Sequence, residues 1–155
     1  MHVSAKADYG MRAALELAVA YAADPRKLTK GEEIATNQDI PMKFLEGILR
    51  QLRQSGIVAS QRGADGGYRL DRNPSQVTIA DIVRALDGPL AAVRGQRPEI
   101  LDYPGPSEHL REVWIAVRAS LRQVLENLTL ADVAGGTFPD AIQSLLAEPG
   151  AWERR

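Results

Sequence analysis

The sequence predicts a mainly α-helical chain carrying one small β-hairpin. Three observations predict it. Apolar residues recur at helical spacing through most of the chain. Two short β-prone runs, 57–60 and 67–70, flank a glycine-rich loop within QRGADGGYRL. A long segment near 107–127 carries an apolar stripe that a chain of 155 residues has few elements to cover.

Residues 6–23, KADYGMRAALELAVAYAA, are apolar nearly all round, which predicts a helix buried on more than one side. Thr29 and Glu32 read as a capping box for a short helix over 30–36, with Ile34 and Ala35 facing inward. Asn37–Gln38–Asp39 is a turn, and Pro41 suits the first turn of a helix over 41–55 that Gly56 ends. Phe44, Leu45, Ile48, Leu49 and Leu52 form its apolar stripe, leaving Lys43, Glu46, Gly47, Arg50 and Arg53 or Gln54 on the other side. The hairpin 57–70 follows, then an amphipathic helix over 78–86 stopped by Gly88–Pro89. Residues 88–106 hold four prolines and read as a connector. The long helix comes next, and Thr129 caps a short helix that Gly135–Gly136 breaks. The last twenty residues read as weakly structured, with a helical turn or two near 140–147.

Composition narrows the function classes. Apolar residues make up 45% and charged residues 25%, an ordinary globular balance. No apolar run approaches the ~20 residues that span a bilayer, and MHVSAKADYG lacks a signal-peptide core. The expectation is a cytoplasmic protein without a membrane partner. The absence of cysteine excludes disulfides, thiol catalysis and cysteine-held iron–sulfur clusters. With two histidines and no clustered carboxylates, the chain is not read as an enzyme. Net charge is −1, but residues 41–72 carry six Arg and Lys against three acidic residues. Such a local basic patch is what phosphate binding needs.

Helix, short helix, turn, helix and β-hairpin, in that order, make a winged helix-turn-helix followed by a long C-terminal helix. The helix at 41–55 is then the recognition helix for a DNA major groove, with Pro41 and Met42 at its start. Lys43 can donate to guanine or phosphate and Glu46 can accept from cytosine. Gly47 leaves the surface bare beside Glu46, and Arg50 and Arg53 hold phosphates. Thr29 and Lys30, at the start of the short helix, form a second phosphate anchor. The hairpin is the wing: Gly63, Gly66 and Gly67 let its backbone approach the duplex, Arg62 enters the minor groove, and Tyr68 and Arg69 lie on the return strand. Leu110, Val113, Trp114, Val117, Leu121, Val124 and Leu128 form a stripe suited to a second copy of the chain.

The stretches MHVSAKADYGMRAALELA, GEEIA, IPMKFLEGILRQLRQSGIVASQRGADGGYRL and TIADIVRALDG resemble the IscR–NsrR–CymR family of bacterial winged-helix regulators over roughly residues 1–88. The resemblance implies a homodimer, and the helix-turn-helix with its glycine wing is read as that of a transcriptional repressor. Its long helix would cross the partner subunit, and its paired wings and recognition helices would meet a palindromic operator on double-stranded DNA. Base recognition would fall to Lys43 and Glu46, and the minor groove to Arg62. Cluster-binding members carry three cysteines before the long helix, whereas AAVRGQRPEILDYPGPSEHL has none. Asp8 and His109 are a poor donor pair, so no metal and no cofactor is expected. The connector, with Arg94, Arg97, Tyr103 and nearby His109, is instead the candidate region for a small-molecule effector.

The expected organisation is a DNA-binding domain over 1–88, a connector over 89–106, a dimerisation helix and a short following helix over 107–134, and a tail over 135–155. The competing reading is a regulatory interaction module that docks a metabolic enzyme of the cysteine-metabolism type, with DNA binding secondary or lost. It is motivated by the net negative C-terminal half.

Overall fold

The computed structural model describes residues 3–153. Helix α1 (Ala5–Ala23) starts where the Ser4 hydroxyl accepts from the Ala7 N–H. It is the axis of the fold, packing against α2 (Gly31–Gln38), α3 (Met42–Gln54), α4 (Ile79–Asp87), α6 (Leu130–Gly135) and strand β2 (Gly67–Leu70). Small residues make this possible: Ala7, Ala13, Ala14 and Ala18 are fully enclosed, and Gly10 lies directly against Leu86 of α4. An all-round apolar helix is thus covered on several sides, as its sequence implied.

The α2–α3 turn is made by Asp39 in the left-handed conformation at φ 50°, and the Ile40 N–H returns to the Ala35 carbonyl at 2.9 Å. Leu45, Ile48, Leu49 and Leu52 of α3 are buried against the core. At about 1.5–3 kcal/mol per side chain, that burial holds the outer face of α3 in a fixed orientation. Phe44 corrects the expected stripe: it is 65% exposed, because no neighbouring element covers its side of the first turn. Gly56, at φ 69°, ends α3. The chain then enters β1 (Val58–Gln61), which pairs antiparallel with β2 so that Val58 faces Leu70 and Gln61 faces Gly67.

A second correction concerns Thr29. It is not the cap of α2, whose N-cap is Lys30 with no side-chain hydrogen bond. Thr29 instead extends the ribbon. Its N–H donates to the Tyr68 carbonyl and its carbonyl accepts from the Tyr68 N–H, both at 2.8 Å. The backbone chooses the strand edge over the cap because both main-chain groups are satisfied at once.

Helix α4 begins with a capping box between Thr78 and Asp81. Helix α5 (Leu110–Leu125) follows the connector and starts slightly later than its periodicity suggested. No residue of α5 is buried. After it the chain returns to the body: the Ile79 N–H donates to the Leu128 carbonyl and the Leu130 N–H to the Val77 carbonyl, each at 2.9 Å. Thr129 caps α6 as expected, in a second capping box with Asp132. Leu130 is fully buried, so α6 packs into the same core as α1. Helix α7 (Asp140–Leu146) buries Ile142 within the otherwise open tail.

Candidate nucleic-acid interface

One face of α3 carries the exposed Lys43, Glu46 and Arg50, with Gly47 half-exposed, at the i, i+3, i+4, i+7 spacing. A Cβ at Gly47 would meet nothing within 4 Å, so the glycine is there neither for space nor for strain within the chain. Pro41 precedes the helix, exposed, and Met42 is half-buried. A Cβ at Gly31 would stand 2.9 Å from Met42 Cε and 3.6 Å from Tyr68 Cε2. Gly31 therefore lets the start of α2, the start of α3 and the wing tyrosine close on one another.

Between α3 and the ribbon runs a groove of about 500 Å³, lined by Lys30, Met42, Glu46, Arg53, Arg62 and Tyr68 with the glycines of the wing. Arg53 donates to the Ser60 hydroxyl at 3.1 Å and ties the end of α3 to β1. A second hollow continues the groove past Glu46, Arg50, Arg53 and Tyr68. Arg62 is exposed at the wing tip. The sequence reading missed Ser60 and Gln61, which line the same groove and were concealed by their plain strand context.

The glycines of the wing divide by cause. Gly63 sits at φ 106° with open space around it. A Cβ at Gly66 would strike the Gln61 carbonyl, and one at Gly67 would lie 2.7 Å from the Thr29 carbonyl oxygen. Gly66 and Gly67 are thus required by the ribbon's own packing.

Two predicted residues do not join this surface. The Thr29 side chain is buried, with its hydroxyl unpartnered, and faces the interior. Arg69 alternates to the opposite face of the ribbon from Tyr68. There it pairs with Asp71 at 3.8 Å, bonds the Leu70 carbonyl, and lines a different hollow with Tyr21 and Arg26.

Charge pairing separates the cations. Arg12, Arg69, Arg72, Arg84, Arg111, Arg118 and Arg122 each lie within ion-pair distance of a carboxylate. Among the described residues, Lys30, Lys43, Arg50, Arg53 and Arg62 have no such partner, nor do Arg26, Lys27, Arg94 and Arg97. Five of these nine uncompensated cations lie on the face formed by α2, α3 and the wing tip. An exposed charge with no internal partner is free to meet phosphate.

The other predicted residues fall into two further regions. Leu110, Val113 and Val117 are exposed along α5, as is Ile115, while Trp114, Leu121, Val124 and Leu128 are half-buried. Leu128 packs against the core of its own chain, so the inner end of the stripe is partly covered internally. The connector residues are brought together only in part. The Arg94 guanidinium lies 5.8 Å over the Tyr103 ring, His109 is exposed just before α5, and Arg97 lines a separate hollow between α4 and α5. In that hollow Glu99 is held below the usual carboxylate range by a backbone hydrogen bond and by the Arg118 side chain.

Residues 3–136 match the family described as Rrf2, iron-dependent transcriptional regulator. A Mycobacterium tuberculosis protein that carries the name of an HTH-type transcriptional regulator is 45% identical over 99% of this chain and 93% of its own length. The HTH-type transcriptional regulator CymR of Bacillus subtilis is 36% identical over 88% of this chain and 92% of its own. The solved structure of B. subtilis CymR, described as its global cysteine regulator, superimposes with a TM-score of 0.73 over 88% of this chain and 98% of that one, at 34% identity. T. potens IscR gives 0.68 over 96% and 94%, at 30% identity. These relatives are transcriptional regulators rather than enzymes.

The donor set of this chain does not fit the iron in the family's description. There is no cysteine, and among the described residues no three His, Asp or Glu side chains are grouped to hold a metal. Nor, among the described residues, is any helix long and apolar enough to cross a membrane. A winged helix-turn-helix with a free cationic face, matched across most of its length, leads to one conclusion: the chain belongs to the Rrf2 family of DNA-binding transcriptional regulators.

Proposed function

We propose that the protein is a homodimeric repressor that sets α3 in the major groove and its wing in the minor groove of a palindromic operator. The observation that carries the proposal is the set of five carboxylate-free cations gathered around the α3–wing groove. Lys43, Glu46 and Gly47 form the reading face. Lys30, Arg50, Arg53 and the backbone at the start of α2 hold phosphates, and Arg62 reaches beyond them. Two features support the dimer. Helix α5 leaves Leu110, Val113, Ile115 and Val117 open. Beside it, an apolar groove of about 610 Å³ runs between Val3, Met11, Val83, Leu90 and Val124. A second copy covers both and doubles the phosphate contacts, which matters for a chain of net charge −1. The signal is one other than an iron–sulfur cluster.

The test is fluorescence anisotropy on DNA from the protein's own promoter region at several salt concentrations. Affinity should fall steeply with salt, and Arg62→Ala should flatten the log–log slope by about one per subunit. A salt-insensitive interaction, or none at low salt, refutes the proposal, as does a particle that remains monomeric at micromolar concentration. Capture of a metabolic enzyme with unchanged regulation in Arg62→Ala would support the interaction-module reading instead.

A further inference from the structure

Four arginines converge away from the DNA-facing side. Arg84 comes from α4, Arg97 from the connector, and Arg118 and Arg122 from successive turns of α5; together they line a hollow of about 410 Å³. That volume suits a small molecule. Among the described residues Glu99 is the only carboxylate lining it, and Glu126, at its edge, is shared between Arg84 and Arg122. Four guanidinium charges thus face two carboxylates, an excess of about two positive charges. Among the described residues, Arg97 has no carboxylate within ion-pair distance. The side chain of Arg118 is only 16% exposed and has Glu99 as its one acidic partner. Each guanidinium offers five N–H donors, and one ion pair leaves several of them unused.

Glu99 and Glu126 balance part of this charge, and the excess that remains is repulsive without a further anion. Apart from the α3–wing groove with its own cations, the hollow beside Tyr21 and Arg26 gathers two arginines and the apolar groove beside α5 none. We propose that this hollow binds a small dianion, a phosphate monoester or a dicarboxylate, held in forks by Arg97, Arg118 and Arg122. The site deepens the effector part of the proposed function and relies on it only for its consequence. Helix α4 packs on α1 and α3, and the connector packs on α5. An anion held by Arg97, Arg118 and Arg122 in a hollow whose other wall is Arg84 of α4 fixes the angle between the long helix and the body that carries α3. In a dimer joined through α5, that angle sets the spacing of the two reading helices, which duplex DNA tolerates only near one helical turn or a multiple of it.

The experiment is calorimetric titration of the full chain at low ionic strength with inorganic phosphate and, separately, with succinate; chloride serves as the monoanion control. The expected result is one saturable site per chain for at least one dianion and no saturation with chloride. Binding should weaken at least tenfold in Arg97→Gln and in Arg122→Gln. It should be unchanged in Arg111→Gln, a variant on the same helix but outside the hollow. Saturation with phosphate alone assigns a phosphate-bearing ligand, saturation with succinate alone assigns a dicarboxylate, and both are supporting outcomes. No saturation with either probe overturns the proposal, and so does an equal loss in Arg111→Gln, which would mark diffuse surface attraction. No DNA is present, so a negative result removes this site and leaves the salt-dependent operator test to judge DNA binding by itself.

Discussion

Replacing Gly67 by alanine should unseat the wing. The added Cβ would lie 2.7 Å from the Thr29 carbonyl oxygen, 2.9 Å from its carbon and 3.2 Å from its nitrogen. All three are backbone atoms, so no side chain can swing aside. Ordinary contact begins at 3.4 Å, and the two segments must separate by about 0.7 Å. They are held together by the pair of 2.8 Å hydrogen bonds between Thr29 and Tyr68. If the bonds persist, the strain of overpacking costs about 1–3 kcal/mol. If they break, two backbone bonds at about 0.5–1.5 kcal/mol each give nearly the same sum. Either route lowers stability by about 2 kcal/mol, which moves a urea midpoint down by about 1 M for a slope near 2 kcal/mol/M. Operator affinity should fall with it, because Arg62 is carried by the displaced ribbon. Urea unfolding followed by circular dichroism, beside anisotropy on operator DNA, measures both. A Gly67→Ala protein with the wild-type midpoint would refute the packing argument and return the glycine to a role in DNA approach alone.

Gly47→Ala should behave in the opposite way. The position is helical and unobstructed, so alanine should stabilise by about 0.5–1 kcal/mol while weakening operator binding, if the bare surface is there for DNA. Unchanged affinity would remove Gly47 from the reading face. Thr29→Val replaces a buried hydroxyl that has no partner, and should raise stability by up to about 1 kcal/mol at constant operator affinity; a loss of affinity would restore that hydroxyl as a phosphate contact. Glu46→Ala should relax preference at one base pair per half-site by about 1–3 kcal/mol in a binding-site selection, and an unchanged profile would show that the register of α3 on DNA is wrong.

Much of this protein could be read from local order. The apolar spacing of α1, α3, α4 and α5, the Gly56 stop, the glycine-rich ribbon and the Thr129 cap all rest on neighbours within a turn or two of the chain. At that range, periodicity and capping chemistry are decisive. The cationic surface was legible for the same reason: Lys43, Glu46, Gly47 and Arg50 share a face by helical geometry alone.

What the chain order could not decide were choices between partners distant in sequence. Thr29 has the sequence of a helix cap. It becomes a strand edge because Tyr68, thirty-nine residues later, presents both a donor and an acceptor to it. Phe44 has the spacing of a core residue and is exposed because no element lies beside it. Arg62 and Arg69 look alike in one dimension; strand alternation and Asp71 leave the first free and pair the second. The arginines at 84, 97, 118 and 122 are scattered along the sequence, and only the return of α5 past α4 gathers their charges around one hollow. Local pattern determines which elements form and which face each one exposes. The enclosure of a hydroxyl or the convergence of four charges depends on which distant segment packs alongside, and that is decided only when the whole core closes.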